Sequence, residues 1–489
     1  MGFVATKYLF AKIPCCLRRY VMKKMKKILS IAMGLMMTTC AFAGCGYFGS
    51  DYAASDLVKP VYQDNFDLMI FGDHSLDADE RSLTMYKEAG FNTFNYYPTA
   101  SSASQVDEAA ALCEQIGLDM IVFGGSPLNW GIDRTIYPDA IEETKFPNYF
   151  KQFDTLGIDF DKLSAVKGFY FIDEPNAGQF ANMKDCYVDW YNQNYSSSNI
   201  WHANMFPSYA TPEQLGVDAT ADKTAFEVYI ETYAEQVIKH VQGGKADIGV
   251  DHYPLMKRGM ENFLSPTYLS DLMVVSSVAH RYGVDFASCI QAAGWGNYRV
   301  PKKTADIGFQ VYTNLALGAK RLEYYPYNTT GYDGYEGMFF YGSKGPSYDA
   351  VKNINEQIKK IDYLFDAFAW QGAKTITGVT ADENSGFEYV GKYELASLEG
   401  IKSVSASYDA LIGQFKDDNN YQGYMLVNYT EPSKELKNTI ELEFNDAKGV
   451  LMYRAGVEML LKVENNKLSV PLEAGEGVFI IPLNKIAKA

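Results

Sequence analysis

Residues 168–175, GFYFIDEP, are five mostly apolar residues followed by two adjacent carboxylates and a proline. A strand that is apolar along its whole length is typical of a parallel sheet, where both faces are buried. Asp173 and Glu174 then mark the point at which the strand leaves the core, and Pro175 suits the first turn of a following helix. The stretch therefore predicts a buried parallel strand that ends in acidic side chains.

Seven further apolar runs, with helical patterns between them, accompany this strand. Helical segments such as DERSLTMYKEAG and SQVDEAAALCEQIG end in glycine, a common helix terminator. Eight buried strands that alternate with helices predict an α/β fold of the (β/α)8 TIM-barrel type. A doubly wound open sheet is the alternative, but no GxGxxG motif and no P-loop follows any strand. The eight runs are FDLMIFGDH (66–74), FNTFNYYP (91–98), DMIVFGG (119–125), GFYFIDEP (168–175), NIWHANMFP (199–207), DIGVDHYPL (247–255), DFASCIQAAGW (285–295) and RLEYYPY (321–327).

The N-terminal region has the features of a bacterial export signal. Four lysines within residues 23–27 precede an apolar stretch that starts at Ile28, and FAGC ends at Cys45. FAGC resembles a lipobox, in which the cysteine becomes the lipidated first residue of the mature protein. The apolar stretch is shorter than the ~20 residues that a membrane-spanning helix needs. We therefore predict an exported lipoprotein, anchored through Cys45 to the outer face of the cell membrane.

The pattern changes again beyond about residue 372. Segments such as GYMLVNYT, NTIELEF and GVFIIPL read as short strands separated by turn residues, which predicts an antiparallel β-sandwich. The predicted organisation is a signal peptide with an upstream extension (1–44), a lipidated tether (45–64), the barrel (65–371) and the C-terminal β-sandwich (372–489).

Composition narrows the range of ligands. From residue 45 onwards the chain has 36 basic and 60 acidic residues, a net charge of −24, which argues against a nucleic-acid partner. The 37 tyrosines supply flat apolar faces with hydroxyl groups, which suit sugars. No CxxC or His/Cys cluster occurs and the five histidines are dispersed, so we expect no metal and no cofactor.

Active sites of TIM barrels form at the carboxyl ends of the strands. The polar side chains predicted there are acidic, uncharged or aromatic, so they suit a neutral polyhydroxylated ligand better than a phosphorylated one. Packing within the protein is the alternative role for each aromatic residue, and an internal hydrogen-bonding role is the alternative for His252. The substrate-binding candidates are Asp73, Tyr97, Asp173, His252, Tyr253, Gln291, Trp295 and Tyr325.

Glu174 is the best candidate for acid/base chemistry. Alternation along the strand places Tyr170 and Glu174 on one face and Asp173 on the other, so Asp173 is expected to orient its neighbours. Glycoside hydrolysis needs one carboxylic acid to protonate the leaving oxygen and a second carboxylate as nucleophile or base. A carboxylate that caps the following helix is the alternative role for Glu174.

GFYFIDEP resembles the acid/base strand of clan-A (β/α)8 glycoside hydrolases, in which the glutamate follows Asn or Asp. NLALGAKRLEYYPY resembles the eighth-strand region of bacterial β-galactosidase-like proteins, and LEAGEGVFIIPL resembles the closing strands of the sandwich that often follows such barrels. The resemblance implies a glycosidase with a carbohydrate substrate. It also implies a nucleophilic glutamate at the end of the seventh strand, where this chain has Gln291, an amide and a far poorer nucleophile.

Two residues are candidates for the second carboxylate. Asp251 follows the sixth strand, with ligand binding or internal hydrogen bonding as its alternative role. Glu323 lies within the eighth strand, where a buried ion pair with Arg321 is the alternative. We predict a glycoside hydrolase acting on a neutral oligo- or polysaccharide, with Glu174 as general acid/base and Asp251 or Glu323 as its partner. A non-catalytic carbohydrate-binding lipoprotein, which keeps the barrel site without the usual nucleophile, is the alternative.

Overall fold

The computed structural model describes residues 52–63, 68–72, 79–98, 105–123, 153–154, 156–195, 199–243, 245–329, 336–340, 343–381 and 385–487. Two of the predicted site residues, Cys45 and Asp73, lie outside these ranges. Within them, no helix combines the length and the apolar character that crossing a bilayer requires.

Eight parallel strands form a nearly closed barrel, which confirms the predicted (β/α)8 fold. Each of the eight apolar runs in the sequence contributes one strand. The strands are β1 (Met69–Gly72), β2 (Thr93–Tyr96), β3 (Asp119–Phe123), β4 (Val166–Asp173), β5 (Ile200–Met205), β6 (Lys245–Val250), β7 (Asp285–Gln291) and β8 (Ala319–Tyr325). Their order in the sheet is β1-β8-β7-β6-β5-β4-β3-β2, so β1 and β2 form the seam of the barrel.

Side chains bridge the seam between β1 and β2. Asn92 Oδ1 accepts a hydrogen bond from Ile70 N at 2.8 Å, and Asn92 N donates to Ile70 O at 3.2 Å. Tyr86 Oη accepts from Gly72 N at 2.7 Å and donates to Thr93 O at 2.6 Å. These contacts satisfy buried backbone groups that a regular ladder would otherwise pair.

Helices follow the barrel strands, and local sequence explains several of their ends. Gly117 ends the second helix in the left-handed conformation, with φ 78°, as glycine does at little cost. Thr224 begins another helix with a capping box, in which it accepts from Glu227 N at 3.2 Å.

The α-helices are Glu80–Glu88, Val106–Ile116, Phe180–Met183, Asp189–Asn194, Pro212–Leu215, Ala225–Gln236, Tyr268–Tyr282, Thr304–Ala316, Tyr348–Ile358 and Asp362–Ala367. A π-helical turn occupies Lys184–Val188, and short 3-10 turns occupy Ala54–Asp56, Phe160–Lys162, Ala177–Gln179, Ile238–His240, Phe387–Tyr389, Gly391–Tyr393 and Pro432–Lys434.

The C-terminal region is a β-sandwich of two antiparallel sheets, as predicted. Its strands are β9 (Phe368–Ile376), β10 (Ile401–Ala406), β11 (Ala410–Asp417), β12 (Gln422–Asn428), β13 (Asn438–Phe444), β14 (Gly449–Arg454), β15 (Val457–Lys462), β16 (Lys467–Leu472) and β17 (Gly477–Leu483). One sheet has the order β9-β11-β12-β17-β14-β15 and the other β10-β13-β16. Alternate residues of β13, namely Ile440, Leu442 and Phe444, are buried between the sheets, which explains the period-2 pattern of NTIELEF.

Shorter elements shape the barrel loops. A hairpin, Leu255–Arg258 with Glu261–Leu264, follows β6, and the small strands Asn328–Thr329, Phe339–Phe340 and Ser343–Lys344 follow β8. The loop after β7 is tied to the sandwich by Arg299, which pairs with Asp306 at 2.8 Å and with Glu431 at 2.6 Å. All three side chains are buried or nearly so, so this contact fixes the loop that leaves the seventh strand.

Candidate active site

The end of β4 carries the two carboxylates of GFYFIDEP. Both Asp173 and Glu174 are partly buried at the carboxyl end of the barrel. Glu174 has a φ of 48°, in the left-handed region that a non-glycine residue occupies at a cost of about 1–3 kcal/mol. Its backbone N–H donates to Asn204 O on β5 at 3.0 Å, which holds this turn in place. A strained turn supported by the neighbouring strand is typical of a functional position.

A bulge in β4 changes which face Asp173 occupies. Tyr170 pairs with His202 of β5, whereas Asp173 pairs with Asn204, so β4 has one extra residue between the two positions. Tyr170 Oη, which faces the barrel interior, donates to Asp173 Oδ1 at 3.1 Å. The prediction that alternation places Asp173 on the face opposite Tyr170 is therefore wrong, because the bulge shifts the alternation by one residue.

Asp251, which follows β6, forms a hydrogen bond with the side chain of Glu174. Burial raises the pKa of Asp251 well above its usual range, and the negative charges of Glu174, Asp173 and Glu323 raise it further. No N–H or hydroxyl group of the described residues donates to Asp251 Oδ1, which is buried, so an ionised carboxylate here would lack compensation. Burial and the neighbouring carboxylates therefore favour the protonated form of Asp251 where it contacts Glu174.

A buried ionic network lies within the barrel, among the strands that carry this pair. His202 Nδ1 contacts both carboxylate oxygens of Asp247, at 2.9 and 3.0 Å. Arg321 pairs with the same carboxylate at 2.9 Å and with Asp285 at 3.0 Å. Burial disfavours the charged form of His202, but Asp247 and Glu323 outweigh burial and raise the pKa of His202 to about 9. His202 is therefore an imidazolium at neutral pH.

Glu323 lies inside the same network. Its Oε2 accepts from Asn204 Nδ2 at 2.5 Å and from Cys289 Sγ at 3.3 Å, and it is 3.4 Å from His202 Nε2. The Asn204 amide also donates to Tyr170 Oη at 2.9 Å, so hydrogen bonds connect Glu323 with Asp173 at the rim. The Glu323 side chain is only 1% exposed, which places it beneath the rim rather than on it.

Aromatic side chains lie on the Asp251 side of the site. Tyr253 packs against Trp295 and Tyr325, with ring centroids 5.0 and 5.5 Å apart, and Trp295 and Tyr325 remain partly exposed. Tyr209, which is 52% exposed, contacts Asp251 O through its hydroxyl at 3.5 Å. The structure thus brings three of the predicted aromatic residues together beside Asp251.

Tyr97 occupies a different part of the interior. Its ring packs against Phe123 with centroids 4.3 Å apart, and Phe123 in turn contacts Tyr170 at 4.5 Å. The Tyr97 side chain is partly exposed, so it borders the barrel interior on the β4 side rather than joining the aromatic residues near Asp251.

Gln291 and His252 are fully buried and bonded to the protein itself. Gln291 Oε1 accepts from Leu255 N at 2.9 Å, and its Nε2 donates to the carbonyl oxygens of Leu255, Ala293 and Arg299 at 3.2, 3.3 and 2.8 Å. His252 contacts Asp271 at 2.7 Å and Ser265 at 2.6 Å through its two ring nitrogens. At the position where the family resemblance implies a nucleophile, Gln291 therefore binds backbone groups of the loops that follow β6 and β7.

The change Gln291→Glu tests this reading of the seventh strand. A carboxylate cannot donate to the three carbonyl oxygens, so we expect the free energy of unfolding to fall by about 1–3 kcal/mol. We also expect no gain in glycosidase activity, because the new carboxylate would remain surrounded by backbone. Urea unfolding and an activity assay on the same preparations measure both effects. A gain in activity without loss of stability would mean that Gln291 faces the substrate after all.

Several residues of the site were not among the sequence-derived candidates. His202 and Asp247 lie inside strands rather than at strand ends, and Tyr209 lies in the loop after β5. A signal for His202 was present, because NIWHANMFP places His202 and Asn204 on alternate positions of a buried strand, where polar side chains need partners. In the described part of the chain, no group of three or more His, Cys, Asp or Glu side chains is arranged to hold a metal ion.

No protein family model matches this chain, and no curated protein matches it. Structural neighbours include an Anoxybacillus α-amylase (7% identity; 85% of this chain and 98% of that chain covered; TM-score 0.35). A family 44 glycoside hydrolase, a xyloglucanase from Paenibacillus polymyxa, is similar at 9% identity, 86% and 97% coverage and a TM-score of 0.37. An endoglucanase from Pseudomonas stutzeri is similar at 11% identity, 58% and 86% coverage and a TM-score of 0.39. These similarities concern architecture alone.

Proposed function

We propose that this chain is a glycoside hydrolase that acts on a neutral oligo- or polysaccharide outside the cell. The observation that carries the proposal is the contact between Glu174 and Asp251 at the carboxyl end of the barrel, where burial and neighbouring carboxylates raise the pKa of Asp251. We infer that the two carboxyl groups share one proton. Glycoside hydrolysis requires one protonated and one ionised carboxyl group. The surrounding Trp295, Tyr325 and Tyr209 present partly exposed aromatic faces, which suit uncharged sugar rings.

The contact between the two carboxyl groups favours a retaining mechanism. Inverting glycosidases keep their carboxyl groups about 6.5–9.5 Å apart to leave room for a water molecule. Retaining glycosidases keep theirs about 5–5.5 Å apart, and the contact between Glu174 and Asp251 is nearer to that arrangement than to the inverting one. In a retaining mechanism Glu174 is the general acid/base and Asp251 the nucleophile.

The shared proton then serves the first chemical step. Asp251 first passes the shared proton to Glu174, and Glu174 gives that proton to the glycosidic oxygen that enters between the carboxyl groups, so that both groups are then carboxylates. Asp251, now a carboxylate, bonds to the anomeric carbon as the bond to the leaving oxygen breaks. In the second step Glu174 removes a proton from water, the hydroxide adds to the anomeric carbon, and Asp251 leaves as a carboxylate. The pair ends with the one proton it held at the start.

A non-catalytic carbohydrate-binding lipoprotein is the second candidate. The observation that favours it is Gln291, whose amide is bonded to backbone at the end of β7 and leaves that strand end without a carboxylate. Under this alternative the Glu174–Asp251 pair would bind sugar hydroxyl groups without breaking a bond.

A substrate screen separates the two candidates. The chain lacking residues 1–44 is incubated with a panel of aryl glycosides and neutral polysaccharides, and product anomers are followed by NMR. We expect release of sugar with retention for at least one substrate, and none from the Asp251→Asn variant. Binding of a polysaccharide without any hydrolysis would overturn the enzyme proposal in favour of the binding protein.

Lipid anchoring at Cys45 is a separate part of the proposal. In a bacterial host we expect the chain with residues 1–44 retained to incorporate labelled fatty acid and to sediment with membranes, because a lipidated cysteine supplies the anchor. Cys45→Ala is expected to abolish both, whereas Cys40→Ala, a matched change within the apolar stretch, is expected to preserve both. Equal labelling of the two variants would contradict the assignment.

A further inference from the structure

Four buried titratable side chains, two basic and two acidic, form a compact group in the barrel interior. His202 and Asp247 are 0% exposed, and Arg321 and Glu323 are 3% and 1% exposed. Arg321 and Asp247 carry opposite charges and are in contact at 2.9 Å. The charge of Glu323 is therefore balanced within the group only if His202 is an imidazolium. A net buried charge would be costly, so the protonated form of His202 is the one that the group stabilises.

The hydrogen-bond geometry of His202 leads to the same protonation state independently. Its Nδ1 faces Asp247 at 2.9 Å and its Nε2 faces Glu323 at 3.4 Å. A neutral imidazole donates from one nitrogen only and would direct the lone pair of the other at a carboxylate oxygen. The ring otherwise contacts the aromatic side chains of Tyr170, at 4.5 Å between centroids, and Phe71, at 5.4 Å. Arg321 is the nearby cation, and it is already paired with Asp247 and Asp285.

Glu323 is held as an anion and cannot readily reach a sugar. One of its oxygens accepts from Asn204 and Cys289 and faces His202, all three of which favour the ionised form. We propose that Glu323, fixed by the His202 imidazolium, is a positioning residue whose permanent negative charge keeps the proton on the Glu174–Asp251 pair. This inference rests on the proposed function, since it assigns Glu323 a role in preparing that pair rather than the role of second catalytic carboxylate.

The protonation of His202 can be tested without a substrate. Nitrogen-15 NMR of the histidine rings is expected to show both nitrogens of His202 protonated at pH 7.5 in the wild-type protein. In the Glu323→Gln variant, which preserves size and an acceptor oxygen, we expect the His202 titration to move to lower pH. The signals of His252, a buried histidine paired with Asp271 instead, are expected not to move. A neutral His202 in the wild-type protein at pH 7.5 would overturn the inference, even if the variant fails to fold.

The effect on the carboxyl pair has its own measurement. The basic limb of the pH profile of kcat/KM is expected to move to lower pH by about one unit in Glu323→Gln, because removal of a nearby negative charge lowers the pKa of Asp251. Glu227→Gln, which removes a carboxylate paired with Lys392 elsewhere, is expected to leave the limb in place. A purely structural role for Glu323 would lower activity at all pH values without moving the limb, and would contradict the proposal.

Infrared difference spectroscopy covers the case in which no hydrolysis is found. The absorption of a protonated carboxyl group is expected in the wild-type protein at neutral pH and is expected to be lost in Asp251→Asn. In Glu323→Gln it should disappear at a lower pH than in the wild type. If these spectral changes occur but no substrate is cleaved, the proposed function fails while the inference about Glu323 stands. If the absorption titrates identically with and without Glu323, the inference fails whatever the activity.

Discussion

The Glu174→Gln variant is expected to lose about 10²–10⁴-fold in kcat/KM, because an amide can neither protonate the leaving oxygen nor activate water. Glutamine retains the length of the side chain, and its backbone can keep the hydrogen bond to Asn204 O that supports the left-handed turn. The loss should therefore be chemical rather than structural. Steady-state kinetics on the substrate identified by the screen measure it.

Folding and an exposed glutamate provide the controls for this variant. Glu174 lies in hydrogen-bonding contact with another carboxyl group, so removing its charge is expected to leave thermal stability unchanged or slightly higher. Glu213→Gln, at an exposed glutamate in the first turn of the helix Pro212–Leu215, is expected to leave activity unchanged. Full activity in Glu174→Gln would remove Glu174 from the mechanism.

The Arg321→Met variant is expected to lower the free energy of unfolding by about 3–5 kcal/mol, the cost of leaving a buried charge without its partner. Arg321 is 3% exposed and contacts Asp247, which is 0% exposed, at 2.9 Å. Methionine fills much of the same space but leaves the group of His202, Asp247 and Glu323 with an uncompensated negative charge. The shift in the midpoint of urea unfolding, converted with the slope of the transition, gives the size of the effect.

The same substitution at an exposed arginine is the matched control. Arg281 is 57% exposed and pairs with Glu231 at 3.1 Å on the surface, so Arg281→Met is expected to cost at most about 1 kcal/mol. Asp247→Asn introduced into Arg321→Met should restore part of the lost stability, because it removes the unpaired charge. Equal losses in the free energy of unfolding for the two arginine variants would show that burial does not increase the contribution of the Arg321–Asp247 pair to stability.

The sequence was sufficient to predict the strands because burial acts on each strand locally. GFYFIDEP and the other seven runs are apolar because strands of a closed parallel barrel are covered on both faces, and helices between them carry glycine at their ends. The sandwich strands were recognisable for a related reason, since Ile440, Leu442 and Phe444 alternate with residues on the outer face. Periodicity of this kind can be recognised from neighbouring residues alone, without information on residues that are distant in the chain.

The candidate site was only partly accessible to the same reasoning. Glu174 and Asp251 were identified as candidates because strand ends converge in a barrel, but their mutual hydrogen bond depends on how the loops after β4 and β6 fold. The orientation of Asp173 was mispredicted because one extra residue in β4, visible only through its pairing with β5, shifts the alternation. The role of Glu323 likewise depends on His202, which is 121 positions away in the chain.

The amino-acid sequence by itself thus determined the barrel, the sandwich and the acidic end of the fourth strand, because apolar periodicity and helix-stop signals are properties of neighbouring residues. Only the tertiary structure decided which carboxyl groups are in contact, which one faces His202, and that Gln291 binds backbone. The physical reason is that protonation and hydrogen bonding depend on distances of a few ångströms between residues on different strands. Those distances are set by the closure of the barrel and by a single bulge, and neither is encoded in any one segment.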